Sequence, residues 1–142
     1  MSPKAQSQCI SLDRLDHLVL TVRNLEVTCD FYSAVLGMEV ITFGQGRKAL
    51  RFGRQKINLH ALGGEFEPKA HKPTAGAGDL CFIVEGPLGQ VQAHLQACGI
   101  AVEAGPVERS GALGPILSLY LRDPDGNLIE LSQYIPSGEK TK

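Results

Sequence analysis

No stretch of this sequence approaches the run of about 20 apolar residues that a membrane-spanning helix needs. The opening "MSPKAQSQCISLD" also lacks the apolar centre of a signal peptide. Basic excess is missing as well: Lys and Arg number 14 against 15 acids, for a net charge of -1. With no Lys/Arg-rich run either, nucleic acid is a poor partner and a small molecule a better one. The four cysteines, Cys9, Cys29, Cys81 and Cys98, include no CxxC pair. A disulfide framework or zinc knot is therefore not indicated, and reduced thiols in the core of a cytoplasmic protein are expected. What is present is an ordinary globular balance, 43% hydrophobic and 20% charged over 142 residues. That suits one compact domain and excludes wholesale disorder.

The periodicity is written twice. "LDHLVLTV" (15–22) is a strand-length aliphatic run with Leu15, His17, Val19 and Thr21 on one face. Asn24 is a good N-cap for a helix whose apolar residues Phe31, Tyr32, Val35 and Leu36 recur at helical spacing, and Gly37 closes it. Three strands follow, at 39–44, 48–53 and 56–62. Residues 63–78, rich in Gly, Pro and Ala, read as a linker. The order then begins again with a strand at 79–84, a helix opened by Pro87 and carrying Leu88, Val91 and Leu95, and strands at 100–107, 116–122 and 127–133. "DPDG" makes the last turn, while "ERSGALGP" before the penultimate strand reads as a loop able to cover a cleft. His17 maps onto Asp79 with a shift of 62 and Asn58 onto Glu130 with a shift of 72, the longer loop accounting for the difference. The expectation is an α+β domain over 13–135, built of paired βαβββ modules at 13–62 and 79–135, with flexible termini at 1–12 and 136–142.

The chemistry-bearing positions fall at the first and fourth strand of each module: His17 with Asn58 and His60, then Asp79 with Glu130. One imidazole with two carboxylates is a hard donor set, suited to Mn²⁺ or Fe²⁺ more than to structural Zn²⁺, although Zn²⁺ and Ni²⁺ also accept such ligands. Read alone, His17 could be a hydrogen-bonded core residue, Asp79 a turn cap, His60 a buried His on backbone and Tyr120 a packing residue. Ser118 and Tyr120 alternate on the penultimate strand and can share a face with Glu130. Arg47, Lys48, Arg51, Arg54 and Lys56 form a cationic group through the first hairpin, from which one or two could meet an anionic substrate; Arg109 is another candidate.

"LDHLVLTVRNLEVTCDFYSAVLGMEV" together with "YLRDPDGNLIELSQY" resembles the vicinal oxygen chelate superfamily of glyoxalases, bleomycin-resistance proteins and dioxygenases. "KALRFGRQKINLH", "EFEPKA" and "GPILSLYLRDPDGNLIELS" resemble its glyoxalase domain-containing protein 5 group and bacterial relatives. The resemblance implies modules whose sheets curl around a cleft holding a divalent metal, usually in a homodimer. By position it implies His17, Asp79 and Glu130 as metal ligands, Asp79 standing where a second His is usual. It further implies Glu130, His60 and Tyr120 as catalytic groups, with Ser118, Tyr120, Arg109 and Asn58 toward the substrate. A glyoxalase-like lyase or isomerase is the expected activity. An extradiol dioxygenase fits less well, because Asp79 replaces a His and no His precedes Tyr120 in "RSGALGPILSLY". Fosfomycin thiol transfer is weakened by Val19 in place of a threonine. A metal-free binding protein of the bleomycin-resistance kind is the alternative from another class.

Overall fold

A computed structural model describes residues 9–136; the expectations for the outermost segments, 1–8 and 137–142, lie outside the described residues. The first module is β1 (His17–Val22), α1 (Leu25–Ala34), β2 (Glu39–Phe43), β3 (Arg47–Phe52) and β4 (Gln55–Ala61). The second is β5 (Asp79–Ile83), α2 (Leu88–Ala97), β6 (Ala104–Gly111), β7 (Gly114–Arg122) and β8 (Leu128–Tyr134). Each forms a four-stranded mixed sheet, in the orders β1-β4-β3-β2 and β5-β8-β7-β6. The first and last strand of each module run parallel, and the hairpins are antiparallel. Val19 lies opposite Asn58 and Cys81 opposite Glu130, so strand pairing reproduces both shifts of the sequence repeat. No helix among the described residues is long and apolar enough to cross a membrane.

Local signals explain the elements. Asn24 caps α1, its Oδ1 accepting from the Val27 amide at 2.9 Å, and Gly37 takes the left-handed conformation (φ 69°) that ends the helix. Pro87 is the N-cap of α2 and offers no capping side chain. The Leu88 amide donates instead to Gln133 Oε1 of β8 at 3.1 Å, so a neighbouring strand satisfies a helix end.

One face of each sheet is apolar by the period of two. Leu20, Val22, Ile57 and Leu59 from the first module join Leu119, Leu121, Ile129 and Leu131 from the second, with Tyr32, Val35 and Leu95 from the helices, in a single core. Polar links reinforce the joint. Tyr32 donates to Asp123 Oδ2 at 2.6 Å, and His94 Nε2 donates to the Val35 carbonyl at 2.8 Å. The phenol is raised in pKa by burial and by Asp123, so Tyr32 remains a donor. Phe52 and Phe82 meet edge to face, 5.1 Å between centroids.

Two expectations change. Strand β6 begins at Ala104 rather than at 100 and continues through "ERSG", leaving Ala112 and Leu113 as the turn into β7. Arg109 is consequently a strand residue and not part of a loop over a cleft. Three of the four cysteines are not core residues as expected: Cys9, Cys81 and Cys98 are exposed, whereas half-buried Cys29 packs against the core. Period-two reading treats a thiol as a small hydrophobe, whereas Cys81 alternates with core-facing Leu80 and Phe82 and so faces away.

Candidate functional site

The sheet faces turned away from the core carry the polar residues. In the second sheet, Asp79 and Cys81 of β5 share this face with Glu130 and Ser132 of β8 and with Ser118 and Tyr120 of β7. That placement explains the acid inside "LIELS": Glu130 belongs to the polar row, between core residues Ile129 and Leu131. Ser118 donates to Glu130 Oε2 at 2.6 Å, and its hydroxyl shares a 2.7 Å bond with that of Ser132. Ser132 Oγ in turn bonds Cys81 Sγ at 3.2 Å. Burial raises the Cys81 thiol above its usual range and Glu130 adds to this, so the thiol stays protonated at neutral pH. Ser118 is fully buried. Its hydroxyl is engaged by Glu130 and Ser132, so it holds the Glu130 carboxylate in place.

Tyr120 lies opposite Glu130 in the ladder, and Arg109 Nε donates to its hydroxyl at 3.1 Å from β6. Burial raises the phenol pKa, Glu130 acting in the same direction and Arg109 opposing it. Tyr120 is therefore a protonated phenol whose oxygen accepts from Arg109 and whose own proton is drawn toward Glu130. Asp79 is exposed and makes no side-chain hydrogen bond among the described residues. The adjacent turn is held by Asn127, whose Oδ1 accepts from the Gly78 amide at 2.6 Å, so the turn-capping role belongs to Asn127.

In the first sheet the corresponding row is His17, Val19 and Thr21 of β1 beside Lys56, Asn58 and His60 of β4. His17 is exposed, its Nδ1 2.8 Å from Asp16 Oδ2. Hydrogen bonding to His17 holds the Asp16 carboxyl below its usual range. Asn58 is buried and its Oδ1 has no hydrogen-bond partner. Arg47 reaches His60 from β3, Nη2 to Nε2 at 3.4 Å, and its guanidinium lies over the rings of Phe43 (5.2 Å) and Phe66 (4.2 Å). Burial lowers the His60 pKa, Arg47 lowers it further and Glu65 partly opposes them. The ring is neutral at pH 7, and since a guanidinium only donates, Nε2 is the acceptor and Nδ1 carries the hydrogen.

The structure thus brings Glu130, Asp79, Ser118, Tyr120 and Arg109 together on one sheet, and His17, Asn58 and His60 on the other. The two sets lie on different sheets, and no group of three or more His, Cys, Asp or Glu among the described residues is gathered as a metal site. Cys81, Ser132, Phe43 and Phe66 had no site role in the sequence reading, and Arg47 entered it only within the cationic hairpin group. The first two were detectable as neighbours of Asp79 and Glu130 at a spacing of two.

The sequence model of the Glyoxalase/Bleomycin resistance protein/Dioxygenase superfamily matches residues 14–131. Glyoxalase domain-containing protein RDO1 of Mycosarcoma maydis is 58% identical over 129 residues, 91% of this chain and 73% of that protein. Virulence protein STM3117 of Salmonella typhimurium is 57% identical over 124 residues, 87% of this chain and 86% of that protein. The crystal structure of the latter superimposes with a TM-score of 0.88 at 56% identity, covering 89% of this chain and 100% of that one. An integron cassette protein from the mobile metagenome of V. cholerae gives a TM-score of 0.88 at 52% identity, over 90% of this chain and 100% of that one. None of these names specifies a reaction.

Proposed function

Because the chain belongs to the glyoxalase/bleomycin resistance protein/dioxygenase superfamily, we propose that it is a metal-dependent enzyme of glyoxalase type acting on a small molecule by lyase or isomerase chemistry. The observation that carries this reading is the setting of Glu130. One carboxylate oxygen is fixed by Ser118, with Ser132 at 3.5 Å, while Oε1 has no bond among the described residues. A carboxylate anchored on one oxygen and open on the other is ready to hold a cation or take a proton.

His17, Asp79 and Glu130 fit a divalent ion by donor chemistry, and Asp79 and Glu130 lie on the same face of adjacent strands. Within one chain they form two half-sites, so the reading requires a second copy that brings His17 to the partner's Asp79 and Glu130. Support for such a homodimer comes from the outer strands. Strands β1 and β5 end their sheets, and Leu15 just before β1 (60%) and Ile83 of β5 (52%) are exposed apolar side chains of the kind that another chain covers. When bound, the ion would supply positive charge to stabilise negative charge growing on substrate oxygens. Glu130 Oε1 would accept a proton from the substrate, and Tyr120, aligned by Arg109, would donate a hydrogen bond. Neutral His60 is the second candidate base, and Asn58 offers a buried amide whose oxygen lacks a donor.

Metal analysis of the purified protein after loading in turn with Mn²⁺, Fe²⁺, Zn²⁺ and Ni²⁺ tests the reading. Wild type should retain one ion per chain, with oxygen-seeking Mn²⁺ or Fe²⁺ favoured. Asp79→Ala and Glu130→Ala should each weaken retention by at least about tenfold, roughly 1.4 kcal/mol. No retained ion, or unchanged affinity in Glu130→Ala, would overturn it.

A further inference from the structure

Residues 63–78 lack periodic structure, yet they roof a cavity of about 520 Å³ against the polar face of the first sheet. Its floor is Val19, Thr21 and His60, and its roof runs from Pro68 to Gly78. That volume lies within the range of about 300–1,000 Å³ common for small-ligand sites. The roof is held at both ends. Upstream, Phe66 packs on Arg47 and edge to face on His60, 5.3 Å between centroids. Downstream, Gly78 is bonded to Asn127, and a side chain at Gly76 would come within 2.7 Å of the Asp125 carbonyl, which shows how closely the roof approaches the β7–β8 turn.

The polar lining consists of donors. Lys69, Lys72 and Thr74 come from the roof, and Thr21 and His60 from the floor, while no acid lines the cavity. Arg47 occupies His60 Nε2, which leaves the Nδ1 hydrogen as the ring's remaining donor, and it adds positive charge behind the floor. Lys69 pairs at 2.7 Å with Glu67, outside the lining, while Lys72 makes no ion pair among the described residues. Two ammonium groups, two hydroxyls and an imidazole N–H around a space without a carboxylate are complementary to an oxyanion.

We propose that this cavity binds the carboxylate end of the substrate, so that the enzyme acts on an anionic, oxygen-bearing small acid. Arg47 is then a positioning residue, fixing the tautomer of His60 through Nε2 while Phe43 and Phe66 hold its plane. The proposal names the substrate class for the activity inferred above and rests on that reading. His17 is two residues from Val19 on the same face of β1, so an acid anchored here extends its remaining oxygens toward the His17 half-site.

The test is a titration of the full-length, ¹⁵N-labelled protein in EDTA with 2-hydroxyhexanoate and, separately, its neutral amide 2-hydroxyhexanamide. The acid should give saturable amide shifts at Thr21, Lys72 and Ala77 and bind at least about tenfold more tightly than the amide. The charge-reversed pair Lys69→Glu with Lys72→Glu, both exposed and outside helices and strands, should abolish that preference without altering the rest of the spectrum. Arg47→Gln should move the His60 ring ¹⁵N signals toward a mixture of tautomers, which a merely structural arginine would not do. Equal binding of acid and amide, shifts elsewhere, or no saturable binding of either would overturn the proposal. Because no metal is present, these results are independent of metal retention: loss of the metal site alone would leave the acid preference intact.

Discussion

At the scale of single residues, His60 shows how burial and a neighbour set chemistry. Only 4% exposed, it faces Arg47 from β3 and Glu65 from the segment above, and its pKa is lowered chiefly by burial. An unfolded histidine takes its proton near pH 6.5, whereas the folded one resists until lower pH. The unfolded state therefore binds more protons between those two values. Stability should be intact above about pH 6.5 and fall as pH drops through that window, with a slope of at most about 1.4 kcal/mol per pH unit from this group. Denaturant melts of wild type and His60→Gln between pH 8 and 5 check this: the variant should lose that part of the slope, and parallel curves would count against it. His60, Glu130 and Tyr120 were legible because strand period alone puts them on polar rows. The Arg47–Phe66 contact was not, since Phe66 lies in a stretch without period and only the fold returns it to β3. Glu130 was readable as an interruption, but its serine anchor depends on the register between β7 and β8, which sequence does not specify.

Among the elements, β6 departs furthest from its sequence reading. Its ladder with β7 shifts register between Ala104 and Val107, a bulge that contains Gly105 and Pro106. Gly105 has φ +105°, and a Cβ there would overlap the Ser118 carbonyl oxygen. Glycine is required twice over, by conformation and by contact. Gly105→Ala should destabilise the fold by about 2 kcal/mol or more, through left-handed backbone strain and displacement of β7. The readout is the midpoint of denaturant unfolding, and an unchanged midpoint would mean that the bulge relaxes without cost. Since Ser118 is the anchor of Glu130, the same variant should retain metal less well than its residual folded fraction predicts. The "AGPV" stretch looks like the end of a strand because Gly and Pro punctuate sequence patterns. Here the strand passes through the bulge and carries Arg109 to Tyr120. Helix ends were easier to read, Asn24 acting through a side-chain bond to an amide three residues on and Gly37 through its own backbone conformation.

Across the whole molecule, one core joins two modules whose polar faces lie on separate sheets. The repeat was visible as two shifts of 62 and 72 residues, and strand pairing reproduces both. A repeat establishes equivalence within each module but carries no information about which module faces which, so convergence of His17 on Glu130 could not be read from it. If the halves combine between subunits, inactivating different halves should be complementable. Neither His17→Ala nor Glu130→Ala homodimers retain a complete donor set. In a mixed dimer both substitutions fall at one site and the other is wild type. Random reassortment of equal amounts gives about half mixed dimers, hence about a quarter of the wild-type number of intact sites. Metal retention should accordingly rise from the level of the single variants to about one quarter of wild type after co-unfolding and refolding. Refolding each variant alone should give no such rise. Absence of recovery in a mixture that light scattering shows to be dimeric would mean that His17 and Glu130 never share a site, and the split between the two sheets would then be the working arrangement of the protein.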